Sequence, residues 1–420
     1  MTSVEMLTVT EALAKILGLV HVLEPIKLPL LASLGRILAE PVIAQESLPP
    51  FANSAMDGYA VISADIAAAT PAQPISLRVV GDIQAGVWPD FSLTPGNAAR
   101  IMTGAPLPPG ADAIVPVEDT DETWRDRDRP LPAVIQIKRA VAAGDYIRHI
   151  GDDIQAGELI LQPGRRLRPQ EIGVLASLGI GQVHVIRPAR VAILSTGDEL
   201  LEVDQPLQPG KIRNSNSYAL AAQVSACGAT PVPLGIAGDT EAAVRARLET
   251  GLAAGVDLFV SSAGVSVGAY DVVKAVLEAE GQMEFWRVRM RPGKPLAFGR
   301  YAGVPYLGLP GNPVSALVSF ERFVRPAILK MMGESTLERP QLRVKLQEAL
   351  HSDGRESYLR AIVWREGNDY LATTTGGQGS HIQSSLVKAN ALVIVPEGVT
   401  ETLPGQSLSA LMIDWPPTVF

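Results

Sequence analysis

Three acidic positions each follow an apolar run. Asp198 and Glu199 follow Val191-Ala-Ile-Leu194, Asp239 follows Pro231 to Ile236, and Asp271 follows Leu258-Phe-Val260 and the loop SSAGVSVGAYD at 261–271. Carboxylates gathered on one sheet edge repel one another unless a cation or a substrate group compensates, and an all-oxygen ligand set suits magnesium. Opposite charge stands in FWRVRMRPGKP, with Arg287, Arg289, Arg291 and Lys294. Strand alternation would set the three arginines on one side before Pro292-Gly293 turns the chain. A cation site beside a basic row for an anion fits phosphoryl chemistry. The bland alternatives are helix caps for Asp239 and Asp271 and a solvated strand face for the arginines. For each acid alone a cap is the better reading; three acidic loop ends on one edge favour a functional cluster.

The loop at 261–271 also contains G-x-S-x-G, from Gly264 through Ser266 to Gly268. A hydrolase nucleophile turn places its serine where strand runs directly into helix. Here Ser261-Ser-Ala263 intervene, no H-G-G-G is present, and His351 and His381 fall in a different predicted domain. The Walker pattern fails too, because no G-K-[ST] follows. What remains is a glycine-permissive loop whose amides could hold a phosphate or oxyanion. In GLPGNP at 308–313, Asn312 and Pro313 read as N-cap and first helical residue, and that helix N-terminus could also face an anion. Cys227 lies in an apolar helix and reads as packing.

These residues need a scaffold. A chain of 420 residues with 47% hydrophobic content calls for several well-packed domains. A net charge of -8 argues against nucleic acid as a partner, and a single cysteine fits a reducing, cytoplasmic compartment. No basic stretch precedes an apolar core at the N-terminus, so no leader is expected. The apolar region 219–238 is broken by Gly228, Pro231 and Pro233, so no membrane span is expected either. The five histidines form no pair at helix-face spacing, which removes the zinc patterns.

Thr8 and Glu11 stand at capping-box spacing ahead of a first helix. Residues 1–26 should pack it on the α/β domain, and 27–43 with 150–177 should form a linking subdomain. From 44 to 149 short Val/Ile runs alternate with Pro and Gly, a β-rich domain interrupted by the charged loop Asp119 to Arg129. From 178 to 332 strands and helices alternate as in a parallel α/β sheet, whose ligands bind at the strands' carboxyl ends. One helical pattern runs from Pro313 to Met332. From 333 to 420 β-like runs return at Gln341–Leu346, Tyr358–Trp364, Tyr370–Thr375 and Ala391–Pro396.

Taken together, PPFANSAMDGYAV (49–61), IRHIGDDIQAGE (147–158), LSTGDEL (194–200), SSAGVSVGAYD (261–271), RPGKP (291–295), GLPGNPVSA (308–316) and GGQGSHIQSS (376–385) resemble the molybdopterin molybdenumtransferase family, of the MoeA and gephyrin E-domain type. They span nearly the whole chain in family order. The resemblance implies a multidomain α/β plus β protein: a parallel α/β molybdopterin-binding domain, a β-rich insert domain and a C-terminal β-barrel-like domain. It implies insertion of molybdenum from molybdate into adenylylated molybdopterin, with AMP released and Mg2+ present. It also implies a cytoplasmic homodimer, possible contacts with other molybdenum cofactor biosynthesis proteins, and sites in which one chain's C-terminal domain faces the other's α/β domain.

Carried over by position, the catalytic set is Asp57, Asp153, Glu199, Asp271, Arg287 and Arg291. Glu199, Asp239 and Asp271 become metal ligands. Thr196, Gly197, Ser262, Gly264, Ser266 and Gly268 become substrate contacts, joined by Lys294, Pro310, Asn312, Arg360 and Ser380. Ser266 is then a hydrogen-bond donor. The substrate's own dithiolene sulfurs hold the metal, so no cysteine ligand is needed. The chain departs from the family pattern at Arg287 and Arg291, where lysine is frequent, at Ala263 and Ala52, and near Asp239, where the acidic element is shifted by one residue. Two rival readings are a serine hydrolase using Ser266 and a non-catalytic pterin-binding scaffold.

Overall fold

The computed structural model describes residues 6–122, 130–262, 272–279 and 283–419. In it the strand Arg190–Thr196 lies between Thr230–Ala237 and Leu258–Ser262, and the six-stranded sheet continues through Val304–Leu309, Pro295–Tyr301 and Met283–Arg287. The first four strands are parallel; Pro295–Tyr301 then runs antiparallel to both its neighbours. Both faces are buried, as the unbroken apolar runs require. Val191, Ile193, Leu258 and Val260 point to one face, against helices Val9–Leu19, Ser215–Ala226 and Pro313–Ser319. Ala192, Leu194 and Phe259 point to the other, against helices Glu241–Ala253 and Val272–Ala279. The first helix starts at a capping box, with the Thr8 hydroxyl accepting from the Glu11 amide.

The Pro313–Met332 pattern is not one regular helix. A π turn at Phe320–Val324 separates Pro313–Ser319 from Arg325–Met331. Pro326 explains the break, because its nitrogen cannot donate to the carbonyl one turn back and its ring crowds that turn.

The C-terminal strands close a barrel. Glu356–Glu366 pairs with Asp369–Thr374 on one side and Ala391–Val395 on the other, and Gln341–Leu346 and Ser407–Met412 complete the ring. Val344, Val363, Ala372, Val393 and Ala410 fill its interior. The short strand Met290–Arg291 adds to the same barrel, parallel to Glu356–Glu366.

These elements form one unit, Met1–Glu40, Pro163–Pro169 and Gln182–Phe420; the other is Pro41–Gln162 with Gln170–Gly181. The second unit holds a five-stranded sheet, in the order Ala113–Pro116, Gly58–Val61, Asn97–Ile101, Ile75–Ile83, Val134–Ile137. Gly58 is required there, since a Cβ would fall 2.0 Å from the Val115 carbonyl oxygen. Among the described residues no helix is long and apolar enough to cross a membrane.

Candidate active site

Register brings the carboxyl ends of the four parallel strands level: Thr196 lies opposite Ala237, Ser195 opposite Ser262, and Ser262 opposite Leu309. The loops that leave these ends wall a cleft of about 750 Å³. Thr196, Glu199, Ser262, Pro310 and Asn312 line it, as does Lys294 from the edge of the sheet. Gly197 takes φ of +140°, and a Cβ there would meet the Glu199 carboxylate at 2.3 Å. Glycine is therefore what lets Glu199 fold back over its own turn.

The neighbouring helix supplies a polar wall. Asn214 caps Ser215–Ala226, its Oδ1 accepting from the Ser217 amide at 3.3 Å and from the Ser195 hydroxyl at 3.0 Å. Asn216 donates to the Ser262 hydroxyl at 2.6 Å and the Gly311 carbonyl at 2.8 Å. Its Oδ1 stays buried without a protein partner, an acceptor left in the wall of the cleft. Asn312 sits at the cap of Pro313–Ser319, yet its side chain makes no capping bond.

Two of the acids are joined. The Asp198 amide donates to Asp239 at 3.2 Å and the Asp239 amide donates to Asp198 at 3.1 Å. Asp239 is not the helix cap; Thr240 fills that place and accepts from the Ala243 amide. Among the described residues no group of three or more His, Cys, Asp or Glu side chains is arranged to hold a metal ion. Gly264, Ser266, Gly268 and Asp271 lie outside the described residues.

The basic row is divided. Arg287 ends a strand of the α/β sheet, whereas Arg291 belongs to the barrel. The chain changes sheets between them, which side-chain alternation cannot reveal. Arg289 approaches Glu397 at 3.0 Å, at an angle poor for a hydrogen bond. Arg291 comes within 3.9 Å of Asp353. A hydrogen-bonded guanidinium on Arg355 holds the Asp353 carboxyl below its usual range.

Arg360 is 1% exposed. Its Nε donates to the Ser385 hydroxyl at 3.0 Å and its Nη2 to the Gly379 carbonyl at 3.2 Å. No carboxylate among the described residues pairs with it. Burial, and then the neighbouring Arg291 charge, pull its pKa down to about 10. The barrel segment beside it reaches the α/β domain of the same chain: the Val314 amide donates to the Ser380 carbonyl at 3.1 Å, and Gln383 donates to the Ser215 hydroxyl at 2.9 Å. His381 thereby lines the cleft with Ser262. His381 thus belongs to the C-terminal domain, as the sequence places it, and still reaches the strand ends.

Asp57 and Asp153 lie in the other unit. Asp57 accepts from the Thr103 amide and hydroxyl, both at 2.7 Å, while Asp153 is exposed.

Three family models match the chain in order: the MoeA N-terminal region over residues 7–179, a probable molybdopterin binding domain over 192–330, and the MoeA C-terminal region over 343–413. Molybdopterin molybdenumtransferase 2 of Mycobacterium tuberculosis H37Rv is 42% identical over 391 residues, covering 91% of this chain and 94% of the relative. The chain belongs to the molybdopterin molybdenumtransferase family. The Nostoc member of that family is 41% identical over 91% of this chain and 87% of its own. A crystal structure of the MoeA protein from Pyrococcus horikoshii OT3 superposes with a TM-score of 0.80 at 28% identity, covering 97% of this chain and all of that one.

As a molybdopterin molybdenumtransferase the protein is an enzyme of molybdenum cofactor biosynthesis, and the family takes molybdate as substrate. The hydrolase and scaffold readings find no support among these relatives. Within this molybdenumtransferase, sequence reasoning missed Ser195, Asn214, Asn216 and His381. RNSNSYAL at 213–220 did carry a signal, since asparagine is a favoured N-cap ahead of a helix. For His381 the signal was the motif GGQGSHIQSS itself, whose neighbouring Ser380 was taken as a substrate contact.

Proposed function

We propose that the cleft binds adenylylated molybdopterin and molybdate, and that the enzyme inserts molybdenum with release of AMP. The observation that carries this reading is the polar cleft at the strands' carboxyl ends, lined by Glu199, Asn216, Lys294 and Asn312. Beside it, bonded to the Gly379 carbonyl next to the segment that carries His381, lies Arg360, a buried guanidinium with an arginine for a neighbour and no carboxylate among the described residues. A buried cation without a counter-charge costs free energy that an oxyanion would offset. Lys294 lines the cleft, and Arg360 and Arg291 from the barrel would complete its anion side. The Asn216 and Asn312 side chains orient the polar parts of the pterin nucleotide. Arg287 lies in another sheet and is left with a role in steering anions.

Magnesium fits the chemistry of the donors on the opposite side. Glu199, Asp198 and Asp239 offer only oxygens, and the reciprocal amide bonds hold the last two in place while leaving each a second oxygen. Glu199 and Asp239 would hold the ion, with Asp271 as third ligand; bound there, it would neutralise charge on the pyrophosphate link. Asp57 and Asp153 are assigned catalytic parts by position in the family motifs alone. The same reading makes the protein a cytoplasmic homodimer that exchanges material with other molybdenum cofactor biosynthesis proteins.

The test is incubation of the protein with adenylylated molybdopterin, magnesium and molybdate while AMP is measured. AMP should appear in step with molybdenum insertion and stop when the magnesium is chelated. Tight pterin binding without AMP would sink the reading.

A further inference from the structure

We infer that a second cleft in the same unit, walled by Arg36, Arg166, Arg325 and Arg339, binds a tetrahedral dianion of the phosphate or molybdate kind. The cleft holds about 370 Å³ and shares no residue with the pterin cleft. Its arginines come from four separate segments, so the fold has gathered them. Among the described residues two carboxylates answer these four guanidinium groups. Arg339 forks onto Glu321 with bonds of 2.7 and 3.0 Å. Arg325 has the same carboxylate only at 3.9 Å, and spends a donor on the Leu337 carbonyl at 2.8 Å. Arg166 pairs with Glu334. Arg36 has no carboxylate partner among the described residues and donates to the Gly228 carbonyl at 2.7 Å.

The excess of positive charge is partly buried, since the side chains of Arg325 and Arg339 are only 16% and 26% exposed. Burial, followed by the nearby Arg339 charge, pulls the Arg325 pKa below the ordinary arginine value. Like charges held together in a concave, half-dry site are stabilised by an anion, and guanidinium groups match a tetrahedral oxyanion in pairs. The bland reading is a set of structural ion pairs with chloride passing through. It accounts for Arg339 and Arg166 and leaves Arg36 and Arg325 without full partners. One feature opposes binding: the cleft also meets the carboxyl end of helix Ser215–Ala226, whose carbonyls repel anions. Arg36 covers the Gly228 carbonyl there.

Cys227 is the chain's single cysteine and lines this cleft, and burial pushes its thiol up to about 11. It therefore reports on the site without any substitution. The rate of Cys227 alkylation by iodoacetamide is measured on the full-length protein in chloride, with inorganic phosphate, molybdate or AMP substituted at constant ionic strength. Saturable protection of at least threefold is expected, and the ion with the lowest half-saturation names the source. Arg36→Gln and Arg325→Gln should each raise that half-saturation severalfold, whereas Arg360→Met, which lies outside this cleft, should leave it unchanged. Protection no greater than that of chloride overturns the proposal. So does protection that survives in both Arg36→Gln and Arg325→Gln, or that disappears in Arg360→Met.

Discussion

Asp198 and Asp239 each accept a hydrogen bond from the other's backbone amide, at 3.1 and 3.2 Å, across the ends of two parallel strands. The exchange ties the loops after these strands together and fixes one oxygen of each carboxylate. It separates a structural role from a metal-binding one. Asparagine keeps a carbonyl oxygen for the amide and loses the charge, whereas alanine loses both. Asp239→Ala should cost roughly 1 kcal/mol and Asp239→Asn less, as urea unfolding would read. Both should raise the magnesium concentration for half-maximal AMP release. Equal magnesium dependence in Asp239→Asn and the parent protein would leave Asp239 as a loop tie only.

Arg360 buries a charge that no described carboxylate offsets. Arg360→Met keeps the length of the side chain and removes the charge. Its thermal midpoint without ligand should stay within a few degrees of the parent's, because lost bonds to Ser385 and Gly379 offset the relieved desolvation. Half-maximal rate should require at least tenfold more molybdate. A collapsed midpoint with unchanged molybdate dependence would make Arg360 a fold residue.

Glu199 and the barrel segment that carries His381 line the same cleft of one chain. Where each site is completed within a single chain, Glu199→Gln and Arg360→Met chains, each impaired, should gain nothing when unfolded and refolded together. Activity above that of the separate variants would show that two chains share a site through these residues.

Arg187 forks onto Asp257 with two bonds of 2.6 Å and reaches Glu24 at 2.6 Å, joining the chain before the sheet to the strand at its centre. With side chains 21% and 11% exposed, the Arg187–Asp257 pair is largely desolvated. Arg187→Ala should cost about 2 kcal/mol in urea unfolding. The hydrogen bond from Arg187 holds the Glu24 carboxyl below its ordinary range. A depressed carboxylate contributes stability that is full above its unfolded value and fades as pH falls through its folded value. Glu24→Gln should thus be slightly less stable than the parent at neutral pH and converge with it in acid. A gap that persists below pH 3 would rule out the charge as its cause.

The α/β sheet was legible because Val191-Ala-Ile-Leu194 and Leu258-Phe-Val260 are apolar without alternation, the mark of strands covered on both faces. Four barrel strands showed as short runs with apolar and β-branched residues, Gln341–Leu346 alternating and Ala391–Val395 almost unbroken. The fifth, Ser407–Met412, did not, since its inward Leu408 and Ala410 alternate with serines and leave a weak pattern. Asp198, Glu199 and Asp239 could be placed at the strand ends because each follows its strand at short range. The anion side could not: Arg287 and Arg291 are four residues apart yet lie in different sheets. Alternation tells which way a side chain faces and is silent on which sheet the strand has joined.

The strand Met290–Arg291 has a mechanical consequence. It leaves the α/β sheet and is stitched into the barrel, reinforced by the Arg355 bond to the Met290 carbonyl at 3.0 Å and by the Glu356 amide on the Arg289 carbonyl at 3.1 Å. Rocking the barrel away from the sheet would have to tear this seam. The segment around His381 is fastened to the α/β domain more lightly, by Val314 to Ser380 and by Gln383 to Ser215. If the cleft admits a bulky ligand as proposed, unlatching that one segment breaks fewer of these bonds than moving the barrel.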